Sequence, residues 1–292
     1  MESSPPQAAM QRTIKSKVKH LVSRLLSRFE PANSGYERRI KALENQIKNL
    51  ITQPQQHDGI EDKIYKEFEL NFRGSSTMIT NRLKDRYSSL LNEQFERSEG
   101  APPTLLDLGC GHGEFLDIAS EIGFKTIGVD QSNEAIAICK GKGHRMILGD
   151  LLSALQSFQE GSIQFISFQH VIEHCPADYT IKVFDEAKRR LVEGGAFLVE
   201  TPSLLSLWAS TRQFYLDPSH LRPVHPDYIQ FIAGTCGFTY GEVKEFGKVE
   251  HPDACNFEKI ISSLNDEGAA QELKKLDKWL YGPMDLCCIF KK

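Results

Sequence analysis

From Thr104 onward the sequence predicts an α/β fold, a mostly parallel sheet of about seven strands with helices on both faces, preceded by N-terminal helices. Two observations predict it. After Pro102-Pro103 short apolar runs alternate with helical segments, and strands separated by helices of that length imply right-handed crossovers within one sheet. The first run also ends in a glycine-rich turn, Asp107-Leu-Gly-Cys-Gly-His-Gly113. Such sheets bind ligands beyond the carboxyl ends of their strands.

The elements follow in order. From Thr13 to Phe29, Ile14, Val18, Leu21, Val22, Leu25, Leu26 and Phe29 recur at three- and four-residue spacing, one face of an amphipathic helix with a basic surround. Pro31, Asn33 and Gly35 break it, and Tyr36–Ile51 resumes the pattern. These residues fit a helical hairpin or short coiled coil packed on the body or on a second subunit. They equally fit a helix lying on an anionic membrane surface. Thr52–Gly59 reads as a linker, so residues 1–57 form an extension and 58–292 the main domain. Ile60–Arg73 and Ser75–Arg97 read as two more helices broken by Gly74. The alternation then runs TLLDLG, GEFLDIASEIG, FKTIGVD, SNEAIAICKG, RMILGD, LLSALQSF, SIQFISF, DYTIKVFDEAKRRLVEGG and AFLVETP. The tail adds helix PDYIQFIAGTCG, strand FTYGEVKEF, helix AAQELKKLDKWL and strand DLCCIFKK.

Composition sets the bounds. The chain has 292 residues, 40% of them hydrophobic and 25% charged, enough for one good core and a smaller appendage. No apolar run reaches the roughly 20 residues of a membrane span, and no secretory h-region is visible. Seven cysteines without a C-x-x-C pair argue against a disulfide framework or a zinc knuckle, so the cytosol is the expected compartment. Cys287 and Cys288 read as packed thiols. Residues 1–52 carry ten Lys/Arg against four Asp/Glu, whereas the whole chain has a net charge of −4. A basic head on an acidic body suggests different partners for the two parts.

The strand ends carry the chemistry. Gly109, Gly111 and Gly113 let the backbone turn sharply and let a ligand approach, though tight strand–helix turns need glycine anyway. The second run ends at Asp130-Gln131, where a carboxylate can accept both hydroxyls of a ribose or simply cap the next helix. The third ends at Asp150-Leu151, where a carboxylate can take an adenine amino group and a leucine can lie against the ring; Asp150 too can be a cap. His170, Glu173 and His174 match H-x-x-E-H, a zinc-hydrolase spacing. That site needs a substantial helix, and at most one helical turn fits between SIQFISF and Cys175-Pro176, so no metal is expected here.

The motifs LDLGCGHGEFL, IGVDQS, GD-L, FISFQHVIEHCP and LVEGGAFLVETP resemble the class I, Rossmann-like S-adenosylmethionine-dependent methyltransferases from Thr104 to Lys292. FRGSSTMITNRL, FYLDPSHLRPVHPDYIQFIAGTCGF and LYGPMDLCCIFKK are similar, more narrowly, to methyltransferase domains of bacterial surface-polysaccharide enzymes, including O-antigen chain-terminating ones, without their kinase domain. The resemblance implies S-adenosyl-L-methionine as cofactor, with Gly109, Gly111 and Gly113 around its methionine part. It implies Asp107 for the loop and amino group, Asp130 for the ribose, and Asp150 with Leu151 for the adenine. Arg73 would reach the cofactor carboxylate or an anionic substrate, or form a surface salt bridge.

Methyl transfer needs a nucleophile held in line with the S–CH₃ bond and, for a hydroxyl, a proton acceptor. The candidates are His174, His220, Arg222 and Tyr215, with Glu173, Asp217 and His225 nearby. Histidine suits a base and arginine an anionic substrate group. His170 fits the lining of the cofactor pocket, His225 before Pro226 fits a helix start, and Tyr215 fits plain packing. The expected acceptor is an oxygen of a glycan or glycan-phosphate. A small metabolite, a lipid-linked intermediate, or a cofactor-binding subunit without turnover are the competing readings. Nucleic acid is not expected, because the main domain is acidic. Residues 1–52 would give self-association or peripheral contact with the inner membrane face.

Overall fold

In the computed structural model the described residues are 74–98, 100–249 and 255–292. The amphipathic segments before Gly74, the linker and Arg73 lie outside the described residues. Helix α1, Ser76–Glu96, begins at Ser75, whose hydroxyl accepts from Met78 N at 3.3 Å. This is the N-cap geometry that serine favours. Its apolar stripe buries Ile79, Tyr87, Leu90 and Leu91.

Beyond it come β1 (Thr104–Leu108), α2 (Glu114–Ile122), β2 (Lys125–Asp130), α3 (Asn133–Gly141), β3 (Arg145–Leu148) and α4 (Leu151–Gln156). They are followed by β4 (Ile163–Gln169), α5 (Ala177–Arg190), β5 (Leu191–Pro202), α6 (Pro226–Thr235) and β6 (Thr239–Phe246). Helices α7 (Phe257–Ser262) and α8 (Glu267–Tyr281) precede the last strand, β7 (Asp285–Lys291). Seven strands form one sheet in the order β3-β2-β1-β4-β5-β7-β6. Strands β1 to β5 pair in parallel, and β7 lies antiparallel between β5 and β6. The predicted α/β architecture is the one observed.

Strand periodicity divides the core into two layers. Leu106 and Leu108 of β1 join α4, α5 and α6 on one face. Leu105 joins Tyr87 and Leu91 of α1 and Phe115 and Leu116 of α2 on the other. Adjacent Cys287 and Cys288 go to opposite faces and are both buried free thiols, as alternation along a strand requires. The strand order reverses at β1, whose neighbours are β2 and β4, so the crevice at the switch point opens above the carboxyl ends of β1, β2 and β4.

The sequence reading differs from the fold at the start of β5, and it lacks α7 and the helical turns Ala209–Gln213 and Phe214–Leu216. Leu191–Gly195 was expected to finish the helix, yet β5 starts at Leu191. The strand pairs Ile163 with Leu191 and then Phe165 with Ala196, so the intervening residues bulge. A Cβ at Gly195 would sit 3.0 Å from the Gln164 carbonyl, which explains a glycine at the pinch. Among the described residues no helix is long and apolar enough to cross a membrane.

Candidate active site

The crevice begins with the turn that leaves β1. Gly109, Gly111 and Gly113 all have positive φ, at 75°, 51° and 80°. Gly109 N and Cys110 N donate to Val129 O at 2.8 and 3.2 Å, locking the turn to β2. A Cβ on Gly109 would meet Val171 Cγ2 at 2.5 Å, and one on Gly113 would meet Cys139 Sγ at 2.7 Å. Two glycines are therefore demanded by packing, and the first presses the turn against the segment after β4.

The carboxylates around the turn differ in task. Asp130, at the end of β2, accepts from Gly111 N at 3.0 Å with one oxygen and from Ser132 N at 2.8 Å with the other. It thereby braces the glycine turn, and each oxygen keeps a further lone pair for a ribose hydroxyl. Gln131 beside it is exposed. Asp107 is buried and accepts from the Ser167 hydroxyl of β4. Burial pushes its carboxyl up to about 7, aided by the charges of Asp130 and Glu114 and opposed by the Ser167 bond.

Asp150 caps α4, accepting from Ser153 N and Ser153 Oγ at 2.8 Å and from Tyr179 OH at 2.6 Å. Burial alone would raise its pKa; the Tyr179 and Ser153 bonds outweigh that and lower it. The capping role foreseen for Asp150 is thus realised, and Tyr179 on α5 is a partner no local pattern announced. Leu151 is buried in the core beneath this edge, while Leu148 at the end of β3 is 53% exposed beside Asp130. An uncovered apolar side chain between two carboxylates, next to a braced glycine turn, fits an adenosine. The residues present therefore suit S-adenosylmethionine.

His170, the first residue after β4, is the non-glycine residue with positive φ, 52° among the described residues. Its N–H donates to Glu200 O at 2.8 Å, which holds the reversal in place. Such strain costs on the order of 1–3 kcal/mol and collects at functional sites. The ring faces Glu173 at 3.6 Å, Glu200 at 3.5 Å and Asp285 at 3.9 Å. Desolvation would lower the His170 pKa, but these carboxylates override it and raise it well above the ordinary histidine value. Behind it Arg86 of α1 pairs with Glu200 and, at 2.8 Å, with Asp285, and Tyr87 OH donates to Glu200. Sequence reasoning missed this network. The one signal was a charged residue, Glu200, inside the apolar run AFLVETP.

The acceptor-side candidates gather around a single turn of 3₁₀ helix, Ile172–His174. The loop 217–222 docks on it, with Leu221 N donating to Glu173 O at 2.9 Å. The rings of His174 and His220 lie 4.7 Å apart. Ser219 Oγ meets His174 Nδ1 at 3.1 Å and donates to Asp217, while His220 Nδ1 meets Phe214 O at 2.6 Å. Arg222 lies 4.9 Å over the Tyr228 ring, and its Nε and Nη2 are buried with no hydrogen-bond partner. Tyr215 is 69% exposed and touches Phe214 edge-on. His225 is the N-cap of α6, accepting from Asp227 N at 3.1 Å ahead of Pro226, which is its helix-start reading. The structure therefore brings His174, His220, Glu173 and Asp217 together and leaves His225 in a capping role.

The family described as "Methyltransferase domain" matches residues 79–241, more than half of the chain. The chain belongs to that family, and its domain is a class I S-adenosylmethionine-dependent methyltransferase domain. The crystal structure of an S-adenosylmethionine-dependent methyltransferase from Archaeoglobus fulgidus is similar, with TM-score 0.65 and 27% identity over 78% of this chain and 99% of that one. A probable S-adenosylmethionine-dependent methyltransferase from Mycolicibacterium smegmatis is 26% identical over 46% of this chain and 51% of its own length. A tRNA (carboxymethyluridine(34)-5-O)-methyltransferase from Arabidopsis thaliana is 26% identical over 44% of this chain and 30% of its own. The match thus spans about half or less of these two curated relatives.

Proposed function

We propose that the chain transfers the methyl group of S-adenosylmethionine to an oxygen of a glycan or glycan-phosphate acceptor. The observation that carries this is the His174–His220 pair, set beside the glycine turn through the Gly109–Val171 contact. Bound S-adenosylmethionine supplies the methyl group as an electrophile on a sulfonium. Either imidazole can take the acceptor's hydroxyl proton as the O–CH₃ bond forms and the S–CH₃ bond breaks, leaving S-adenosylhomocysteine and a methyl ether. The unpartnered buried N–H groups of Arg222 favour an acceptor with a phosphate or carboxylate, since an unpaired buried cation is costly. Exposed Tyr215 and Leu221 on the same loop offer apolar surface to a sugar face. The narrow likeness to surface-polysaccharide methyltransferases points the same way, and a cytoplasmic site at the inner membrane face would suit such an acceptor.

The test incubates the full chain with S-adenosylmethionine and a panel of oligosaccharides, glycan phosphates and small metabolites, following S-adenosylhomocysteine release and product mass. Methylated glycan is the expected result, with Asp130→Ala raising the cofactor KM about tenfold or more. Turnover with small metabolites alone would overturn the acceptor. Tight cofactor binding without turnover on any acceptor would make the chain a non-catalytic subunit.

A further inference from the structure

Two trios of side chains among the described residues bring potential metal ligands together: His170, Glu200 and Asp285, and Glu173, His174 and His220. The first is already balanced. Arg86 pairs with both of its carboxylates, and the His170 ring lies among acids that favour its protonated form. In the second, among the described residues, no lysine or arginine pairs with Glu173, and its charged neighbour is the His170 ring at 3.6 Å. Glu173 is fully buried, and Thr201 Oγ1 donates to its Oε2 at 3.1 Å, while its Oε1 has no hydrogen-bond partner. His170 Nδ1 stands 3.6 Å from that oxygen, beyond hydrogen-bond reach, so a buried acceptor is left for a further positive partner.

The two imidazoles are prepared for the same purpose. A carbonyl only accepts, so His220 Nδ1–H must donate to Phe214 O, which leaves the Nε2 lone pair free 3.9 Å from Glu173 Oε1. The Ser219 hydroxyl spends its proton on Asp217, so His174 Nδ1–H donates to Ser219 Oγ and its Nε2 is free as well. Fixing a tautomer through the far ring nitrogen is how proteins orient metal-binding histidines. One ligand atom from each of the three residues lies within 4.8 Å of the others. Ligands about 2.1 Å from an ion stand roughly 3 Å apart, a closure that side-chain rotation can supply.

We propose that Glu173, His174 and His220 bind a first-row divalent cation, of the manganese, cobalt or zinc kind. Two imidazoles and one carboxylate select such ions over magnesium or calcium and leave open positions. This deepens the acceptor-site reading given above and rests on it: the acceptor oxygen would take an open position, where a cation makes its proton easier to lose. The H-x-x-E-H spacing thus contains two of the ligands. Its first histidine, His170, is shared between Glu173 and Glu200, at 3.6 and 3.5 Å, and His220 from the distant loop takes the third place.

The test uses the untagged full chain after dialysis against a chelator. Cobalt(II) is followed by its visible absorption and manganese(II) and zinc(II) by calorimetry, with S-adenosylmethionine affinity measured in parallel. One ion per chain is expected, weakened about tenfold or more in His174→Asn and in His220→Asn, with cofactor affinity unchanged. These two variants avoid the buried Glu173, whose replacement could cost the fold. No cation binding alongside normal cofactor binding would overturn the site, as would binding undiminished in the double histidine variant. Either result leaves methyl transfer standing with histidine as plain base. A metal-loaded chain that methylates no glycan would instead sink the acceptor reading alone.

Discussion

Asp107 shows how one residue ties the fold to pH. It is buried at the end of β1 with its carboxyl pushed up to about 7, from an ordinary value of 3.8. The folded chain therefore holds that proton across a range where the unfolded chain has released it. The stability linked to it is fully present below the ordinary carboxylate value and is lost as pH rises through about 7. Urea midpoints measured from pH 5 to pH 8 should fall with pH in the parent chain. In Asp107→Asn, which cannot ionise, the fall should be shallower. Equal slopes would show that Asp107 ionises in the folded chain much as it does in the unfolded one. Ser167 matters to the same balance, because its hydroxyl donates to the carboxylate form.

At the scale of elements, α1 is joined to the sheet by charge as well as by its apolar stripe. Arg86 crosses to Glu200 on β5 and Asp285 on β7, and its guanidinium lies 4.5 Å over the Phe246 ring on β6. Replacing it by methionine leaves Glu200 buried and without its guanidinium partner, with only His170 as a positive group facing it, which costs about 3 kcal/mol or more. Lys84 on the same helix pairs with Glu121 at the surface, and Lys84→Met should change stability by less than about 1 kcal/mol. Thermal melts of the two variants check the contrast; equal shifts would mean that the buried pair adds nothing beyond a surface one. This bridge also marks what the sequence could not disclose. Its partners lie 114 and 199 residues apart, and they meet only because β7 inserts beside β5. Strands β1, β2 and β4 were legible because each is a short apolar run with a polar residue at its carboxyl end. The start of β5 was not, because Leu191–Gly195 follows a helix without a break and is drawn into the sheet only by its pairing with Ile163. The same holds at the site. Asp130 and the glycines could be placed from spacing, whereas Ser167, Tyr179 and the His174–His220 contact depend on which strands and loops become neighbours.

For the whole molecule, charge is the property that separates the parts. Residues 1–52 hold ten basic against four acidic side chains in a chain whose net charge is −4. Near an anionic bilayer each Lys or Arg contributes about 1 kcal/mol of attraction, and that attraction is screened within about 8 Å at physiological salt. The acidic remainder is repelled by the same surface, so any binding must come through the head. Full-length chain should therefore co-sediment with phosphatidylglycerol vesicles at low salt and be released as salt rises. A chain lacking residues 1–52 should stay in solution while binding S-adenosylmethionine with affinity within about twofold, because the residues that brace the cofactor crevice begin at Asp107. Light scattering on the same pair covers the other reading of the apolar faces: a dimer that becomes a monomer on truncation, with no vesicle binding in either form, assigns the head to self-association. If truncation changes neither sedimentation nor mass beyond the deleted residues, the head serves neither purpose, and its basic apolar pattern needs a different partner.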